Sequence, residues 1–384
     1  ELERDYHSGL VRWFRENDYT LESGDTTILL AREFGFCYGV DRAVEYAYEA
    51  RRQFPDRTIH ITGEIIHNPH VNSNLRRMDI NFLSTPDDLS VDFSAVSSGD
   101  VVILPAFGAR AADMETLKER GAVVVDTTCG SVLNVWKQVQ RNARDGFTSV
   151  IHGKYAHEET RATASWAQGR HGGGHYLIVR DMNETEIVCG FIESGGDAGT
   201  LRERFAPACS AGFDPGRHLQ KVGVANQTTM LSSESLAIAR RLEQALARRW
   251  GESSLAERFR TFDTICSATQ ERQDAVVDLL QERLDTLVVI GGFNSSNTAH
   301  LAELAERSGV PPYHIESPAA LLGDGSIRYR PVGGGDEQTR AAWLPEGPAR
   351  IGVTAGASTP NNRIGQVLYA LLKLRGIEPP AMES

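Results

Sequence analysis

The chain has 384 residues, 41% of them hydrophobic and 24% charged, with a net charge of -11. That balance belongs to a globular protein of two or three domains, and its acidity argues against binding a phosphate backbone, which calls for a basic surface or stripe. No run approaches the roughly 18 consecutive apolar residues of a spanning helix, and the charged start has no signal-peptide core. The expected setting is therefore cytoplasmic, with neither nucleic acid nor membrane as a partner.

Residues 1–25 read as a polar N-terminal arm, helical through Val11 to Glu16. From Thr26 onward, short β-branched runs alternate with amphipathic stretches: TTILLARE before RAVEYAYEARRQF, then TIHITGEII, VVILPAFG, AVVVDTT before SVLNVWKQVQRNARDG, and TSVIHG before EETRATASWAQ. The same alternation resumes with KVGVANQTT, TLVVIGGFN and ARIGVTAGAS, each followed by a helical pattern. Such order signals βαβ units, and unbroken apolar strands imply sheets buried on both faces. Residues 181–218 read as inserted loops or an extra element, and Gly333-Gly334-Gly335 as a surface excursion.

Three cysteines stand out because each falls where a strand pattern gives way to a helix: Cys37 in FGFCYGV, Cys129 in VVDTTCGSV and Cys266 in TICSATQERQ. A helix N-terminus favours thiolate over thiol. Any one of them alone could equally be a small buried cysteine at a turn. Their recurrence in a chain with no CxxC pair argues against structural zinc. It suits an iron-sulfur cluster with one iron left open. Cys189 and Cys209 lack the following helix signal and read as structural or incidental.

His67 and His157 follow apolar strands, and Glu158 and Glu159 come directly after His157. A carboxylic acid in a desolvated pocket can hold a proton near neutral pH, although acids at helix starts also simply complement the dipole. The segments 226–230 (NQTTM), 294–298 (NSSNT) and 354–359 (TAGAST) each link a strand to a helix. Together their hydroxyls, amides and free N–H groups suggest a cradle for a phosphate or diphosphate; singly each is an N-cap. No GxGxxG, GxxxxGK(S/T) or GxSxG motif is present.

FGFCYGV, EIIHNPHV, VVDTTC, HGKYAHEET, ANQTTM, TICSATQERQ, FNSSNT and GVTAGASTP occur in the order seen in the 4-hydroxy-3-methylbut-2-enyl diphosphate reductases. The chain resembles that family from about Glu33 to its end, and looks more like the cyanobacterial and plant-plastid branch. The resemblance implies an α/β fold of three small domains with mainly parallel sheets, in a pseudo-threefold trefoil around a central cluster. The expected boundaries are 26–126, 127–262 and 263–355, with 356–384 packing back on the first domain.

It further implies a 4Fe-4S cluster on Cys37, Cys129 and Cys266 with an open apical iron, and Glu159 as proton donor. His157 and Thr228 would lie around the substrate hydroxymethyl group, while His67, Ser295, Ser296, Asn297 and Ser358 would hold the diphosphate. The implied reaction is a two-electron reductive dehydroxylation to isopentenyl and dimethylallyl diphosphates, closing the methylerythritol phosphate route, with a ferredoxin or flavodoxin as donor. A monomer or homodimer in a bacterial cytosol or plastid stroma is expected.

Three positions depart from the enterobacterial pattern: Phe107 replaces a histidine, Gly130 a proline and Asn134 a lysine. Lys154 or His152 would be the replacement for the missing diphosphate histidine. Two other readings of the cysteines are an iron-sulfur hydro-lyase and a cluster-based redox sensor. Anaerobic purification should yield a brown protein with about four irons and four sulfides per chain; a colourless, iron-free chain with full activity would overturn the cluster reading.

Overall fold

The computed structural model describes residues 6–85, 90–169, 172–262 and 264–381. The chain divides into two compact units, one formed by residues 1–48, 66–77 and 267–384, the other by residues 49–65 and 78–266. Residue 263, the expected start of a third domain, lies outside the described residues.

In the first unit a five-stranded sheet runs in the order β1-β2-β15-β11-β12. These strands are β1 (Thr20–Ser23), β2 (Thr26–Leu30), β11 (Thr286–Ile290), β12 (Pro312–Ile315) and β15 (Ala349–Ala355). All neighbours are parallel except β1 on β2. Every residue of β11 is buried, as a strand covered on both faces requires.

Five α-helices among the described residues lie wholly in this unit: α1 (Gly9–Glu16), α3 (Pro69–Arg77), α9 (Ser267–Leu280), α10 (Ser296–Arg307) and α11 (Asn361–Leu374). The helix α2 (Tyr38–Gln53) begins here, directly after Cys37. The glycine triplet lies between β13 (Ile327–Tyr329) and β14 (Gln338–Arg340), which pair as an antiparallel ribbon.

The expected arm is in fact part of this unit. Ser8 caps α1 by accepting a hydrogen bond from Val11 N, and Leu10, Val11 and Phe14 are buried in the same apolar cluster as Ile364, Val367, Leu368 and Leu371 of α11. The linear domain boundaries are corrected accordingly: β2, expected to open the first domain, is a strand of the sheet that holds the C-terminal β15. Parallel pairing makes this possible, because strands far apart in sequence can become neighbours when crossovers carry the chain between them.

The second unit holds two four-stranded sheets, each wholly parallel. One runs β4-β3-β5-β6, with β3 (Ile59–Ile61), β4 (Ile80–Phe82), β5 (Val101–Leu104) and β6 (Val123–Asp126). The other runs β10-β9-β7-β8, with β7 (Thr148–His152), β8 (Tyr176–Val179), β9 (Val222–Asn226) and β10 (Phe259–Thr261). Its principal helices are α4 (Ala111–Glu119), α5 (Gly130–Arg144), α6 (Glu158–Ala167), α7 (Met182–Ser194) and α8 (Ser232–Trp250).

Residues 181–218 are largely helical. Asp181 caps α7 by accepting from Glu184 N, and Gly195, at φ 75°, ends it. The apolar face of α7 packs into a core with Ile238, Leu242 and Leu246 of α8. The fold is α/β with mainly parallel sheets, three among the described residues besides the β13–β14 ribbon. Because Phe14 is wholly buried, Phe14→Ala should cost about 3–5 kcal/mol, read as a lower urea midpoint.

Candidate active site

Each of the three singled-out cysteines immediately precedes a helix: Cys37 before α2, Cys129 before α5 and Cys266 before α9. In chain order each of these helices leads from a strand of one sheet to a strand of another: α2 from β2 to β3, α5 from β6 to β7 and α9 from β10 to β11. Each opens with N–H groups that its own ladder leaves unsatisfied. Cys129 occupies the N-cap of α5 without capping it through its side chain.

None of the five cysteines is disulfide-bonded, and these three are partly exposed. Cys189 differs in every respect. It sits within α7, is fully buried, donates its thiol to Arg241 O at 3.6 Å, and burial pushes that thiol up to about 12. Cys37, Cys129 and Cys266 thus share partial exposure and a place directly before a helix, both of which Cys189 lacks.

In the second unit one path of contacts joins the residues singled out there. Glu159 is 2% exposed; its Oε1 accepts from Thr228 N at 2.6 Å and its Oε2 from Thr228 Oγ1 at 3.0 Å. Thr228 O in turn accepts from Cys266 N at 3.3 Å. His157 is the N-cap of α6, its Nδ1 accepting from Glu159 N at 3.2 Å. The Phe107 ring meets His157 edge-on, centroids 6.4 Å apart, and the neighbouring Ala106 O accepts from Cys129 N at 2.8 Å.

Gln227, which motif reading passed over, braces this assembly. It is fully buried, and its Oε1 accepts from Thr160 Oγ1 at 3.0 Å and from Lys154 N at 3.1 Å. Of the two residues considered as substitutes for the missing histidine, His152 is fully buried with Nδ1 2.8 Å from Ser235 Oγ. The Lys154 side chain is exposed.

The first unit gathers the other set. Cys37 N donates to Ala357 O at 3.2 Å, and Ala357 N donates to Asn297 Oδ1 at 2.9 Å. Ser358 Oγ donates to His67 O at 3.1 Å, and Asn68 Nδ2 to Ser358 O at 2.9 Å. Ser295 caps α10 through Thr298 N and also accepts from Thr298 Oγ1 at 2.9 Å. Ser296 Oγ lies 3.3 Å from His300 Nε2.

Asn297 Nδ2 is buried with no hydrogen-bond partner. An unmade bond of that kind is costly unless a ligand completes it, and the positive end of α10 favours an anion there. Gly292 is obligatory at this point, since a Cβ would collide with His67 O.

Arg272 is a further residue missed by the motif reading. It is 3% exposed and donates to Gly35 O at 2.7 and 3.1 Å, to Phe36 O at 3.2 Å and to Ala268 O at 2.8 Å. The loop before Cys37 is thereby tied to the first turn of α9. A signal was available: Thr269, Arg272, Gln273, Val276 and Leu279 form the buried stripe of α9, and an arginine on such a stripe needs partners.

These features define an α/β protein with thiols directly before helices, a buried carboxyl-hydroxyl pair and a hydroxyl- and amide-rich start to α10. The family model described as LytB protein matches residues 28–372, and the chain belongs to that family. Curated relatives named 4-hydroxy-3-methylbut-2-enyl diphosphate reductase include one from a Synechococcus (strain RCC307), 50% identical over 97% of this chain and 90% of its own length. Another, from a Synechocystis, is 48% identical over 98% of both chains.

A solved structure of (E)-4-hydroxy-3-methyl-but-2-enyl diphosphate reductase, called the terminal enzyme of the non-mevalonate pathway, is 25% identical with a TM-score of 0.54. It covers 90% of this chain and 99% of its own. The Plasmodium falciparum reductase structure, at 22% identity, shares the fold, with a TM-score of 0.66 over 92% of this chain and 88% of its own.

Arg272→Ala leaves buried carbonyls unpaired, each a loss of roughly 1–3 kcal/mol. The variant should unfold at lower urea and, purified anaerobically, carry less iron than wild type.

Proposed function

We infer that this chain is a 4-hydroxy-3-methylbut-2-enyl diphosphate reductase whose own residues divide the work into anion binding and proton delivery. The overall reaction converts an allylic alcohol, two electrons and two protons into isopentenyl or dimethylallyl diphosphate and water. The observation that carries the reading is the buried Glu159–Thr228 pair, bonded at 2.6 and 3.0 Å, on the same contact path as Cys266.

Cys37, Cys129 and Cys266 are the three thiolates that would hold a 4Fe-4S cluster. When bound, the cluster carries electrons one at a time and offers an open iron as Lewis acid. Glu159 holds the proton destined for the substrate. Its carboxyl is buried, and Thr228 bonds both oxygens, fixing the orientation from which transfer occurs. His157, through the Glu159 N–H, sets the start of α6 and so the position of that carboxyl.

The diphosphate is assigned to Ser295, Ser296, Asn297, Ser358 and His67. Asn297 Nδ2 supplies a ready donor, and the α10 N-terminus adds its dipole. Phe107 contributes no donor, so affinity falls more heavily on this cradle. The exposed Lys154 and the buried His152, whose Nδ1 meets Ser235 Oγ, are the candidate substitutes for the missing histidine.

Electrons come one at a time from a ferredoxin or flavodoxin. No helix among the described residues is long and apolar enough to cross a membrane. The proposed setting is a bacterial cytosol or plastid stroma, with the chain a monomer or homodimer.

With reduced methyl viologen as donor, Glu159→Gln should lower kcat by roughly 10²–10⁴-fold while iron content stays at the wild-type level. Asn297→Ala should instead raise KM at least tenfold with a smaller change in kcat. Product formed by wild type without any reductant would overturn the reductase reading.

A further inference from the structure

Helix α5 begins at Gly130, directly after Cys129. Its exposed residues are Gly130, Asn134, Lys137, Arg141 and Arg144, spaced four, three, four and three apart, which is one continuous solvent stripe. The chain carries 51 acidic residues against 40 basic ones, yet α5 contains no Asp or Glu, and its stripe ends in three cations.

The nearest acid beyond the helix, Asp145, does not cancel them. Its Oδ2 is 2.5 Å from Arg260 Nη1 and 3.9 Å from Arg141 Nε, and Arg260 first, then Arg141 and Arg144, hold its carboxyl below the usual range. At the other end, the exposed Asp126 accepts from Thr128 N and Oγ1 at its Oδ1. Of the four arginines of α8, Arg241 pairs with Glu186 and Glu193 and Arg248 with Glu193, while Arg240 and Arg249 are exposed.

Beside the stripe lies an apolar centre. Partly exposed Leu133 and Trp166 pack with Cys129 against Val132, Trp136 and Ala162, and the Trp136 and Trp166 rings stack at 5.0 Å. An aromatic core with a charged rim is the usual anatomy of a protein docking patch. Electron-transfer encounters bury less than about 1,200 Å² in total, a patch roughly 25 Å across on each side. At 1.5 Å per residue, Lys137 lies about 12 Å and Arg144 about 22 Å along the helix from Cys129, so one such footprint covers stripe and thiol together.

We propose that the exposed face of α5 is the docking surface for a small acidic one-electron carrier protein, with Lys137, Arg141 and Arg144 steering it and Gly130 leaving the approach to Cys129 open. The proposal rests on the reductase reading above. A Cβ at Gly130 would meet nothing within 4 Å, so its lack of a side chain serves access from outside, not packing within. Each docking delivers one electron, and two reduced carriers are oxidised per substrate as the C–O bond breaks, two protons are taken up and water leaves. Complementary charge accelerates such encounters and makes them salt-dependent.

The test compares wild type with the triple variant Lys137→Glu/Arg141→Glu/Arg144→Glu, the single variant Arg141→Glu and a control, Arg240→Glu/Arg249→Glu, on another exposed helix. The probe is a plant-type [2Fe–2S] ferredoxin, reduced for turnover and oxidised for binding calorimetry at low and high salt. Wild-type Kd and KM for ferredoxin should rise with salt; the triple variant should show both raised at least tenfold at low salt, the single variant less, and the control within twofold of wild type.

Turnover driven by reduced methyl viologen, a cation that added carboxylates do not repel, should stay within twofold of wild type in all variants. Unchanged ferredoxin affinity in the triple variant, an equal loss in the control, or an equal loss with viologen would each overturn the proposal. Absence of viologen-driven turnover in wild type would instead refute the reductase reading, leaving the calorimetry to judge docking.

Discussion

The organisation of this protein depends on one backbone constraint, the passage from a parallel strand into a helix. Each such helix, whether it returns to a neighbouring strand of the same sheet, as α6 and α10 do, or leads to another sheet, as α2 and α5 do, starts with N–H groups that its own ladder leaves unpaired. Those donors stand at the carboxyl ends of β2, β6, β7, β11 and β15. The chain places Cys37, Cys129, His157, Ser295 and Ser358 there. Thiolates, carboxylates and anionic ligands all gain from the same partial positive charge, so a single structural rule would serve both the cluster ligation and the diphosphate binding proposed for these residues.

Secondary contacts decide how well those junctions hold their shape. Gln227 joins the β7 and β9 junctions through Thr160 Oγ1 and Lys154 N, and Arg272 ties the Cys37 loop to α9 through three carbonyl oxygens. Neither residue has an obvious chemical task. Both are buried polar groups with their hydrogen bonds made, the condition under which such groups rigidify a site and do not destabilise it. The cradle on α10 contrasts with them, since Asn297 Nδ2 is left unmade and a ligand would complete it.

The departures at Gly130 and Asn134 take on a different meaning once placed. Beside Cys129, a glycine where a proline is usual frees the backbone. In the fold, both positions lie on the solvent stripe of α5, and Gly130 borders open space. Phe107 is also explained in part: its ring packs edge-on against His157, taking a steric role where a histidine would have offered a donor.

Motif order alone determined the family, the three junction cysteines, Glu159 and the hydroxyl-rich segments, because each is a local pattern of a few residues around one strand-to-helix turn. Alternating apolar runs likewise determined the α/β class. Only the tertiary structure decided that β2 pairs with β15, that the N-terminal residues build a strand and a helix of the same unit, and that residues 181–218 are mainly helical. It also decided that Arg272 and Gln227 are braces, that His152 Nδ1 meets Ser235, and that the cations of α5 share one face with Gly130. Those facts depend on contacts between segments up to hundreds of residues apart, set by which surfaces bury together, and a strand's local sequence specifies its burial without naming its neighbour.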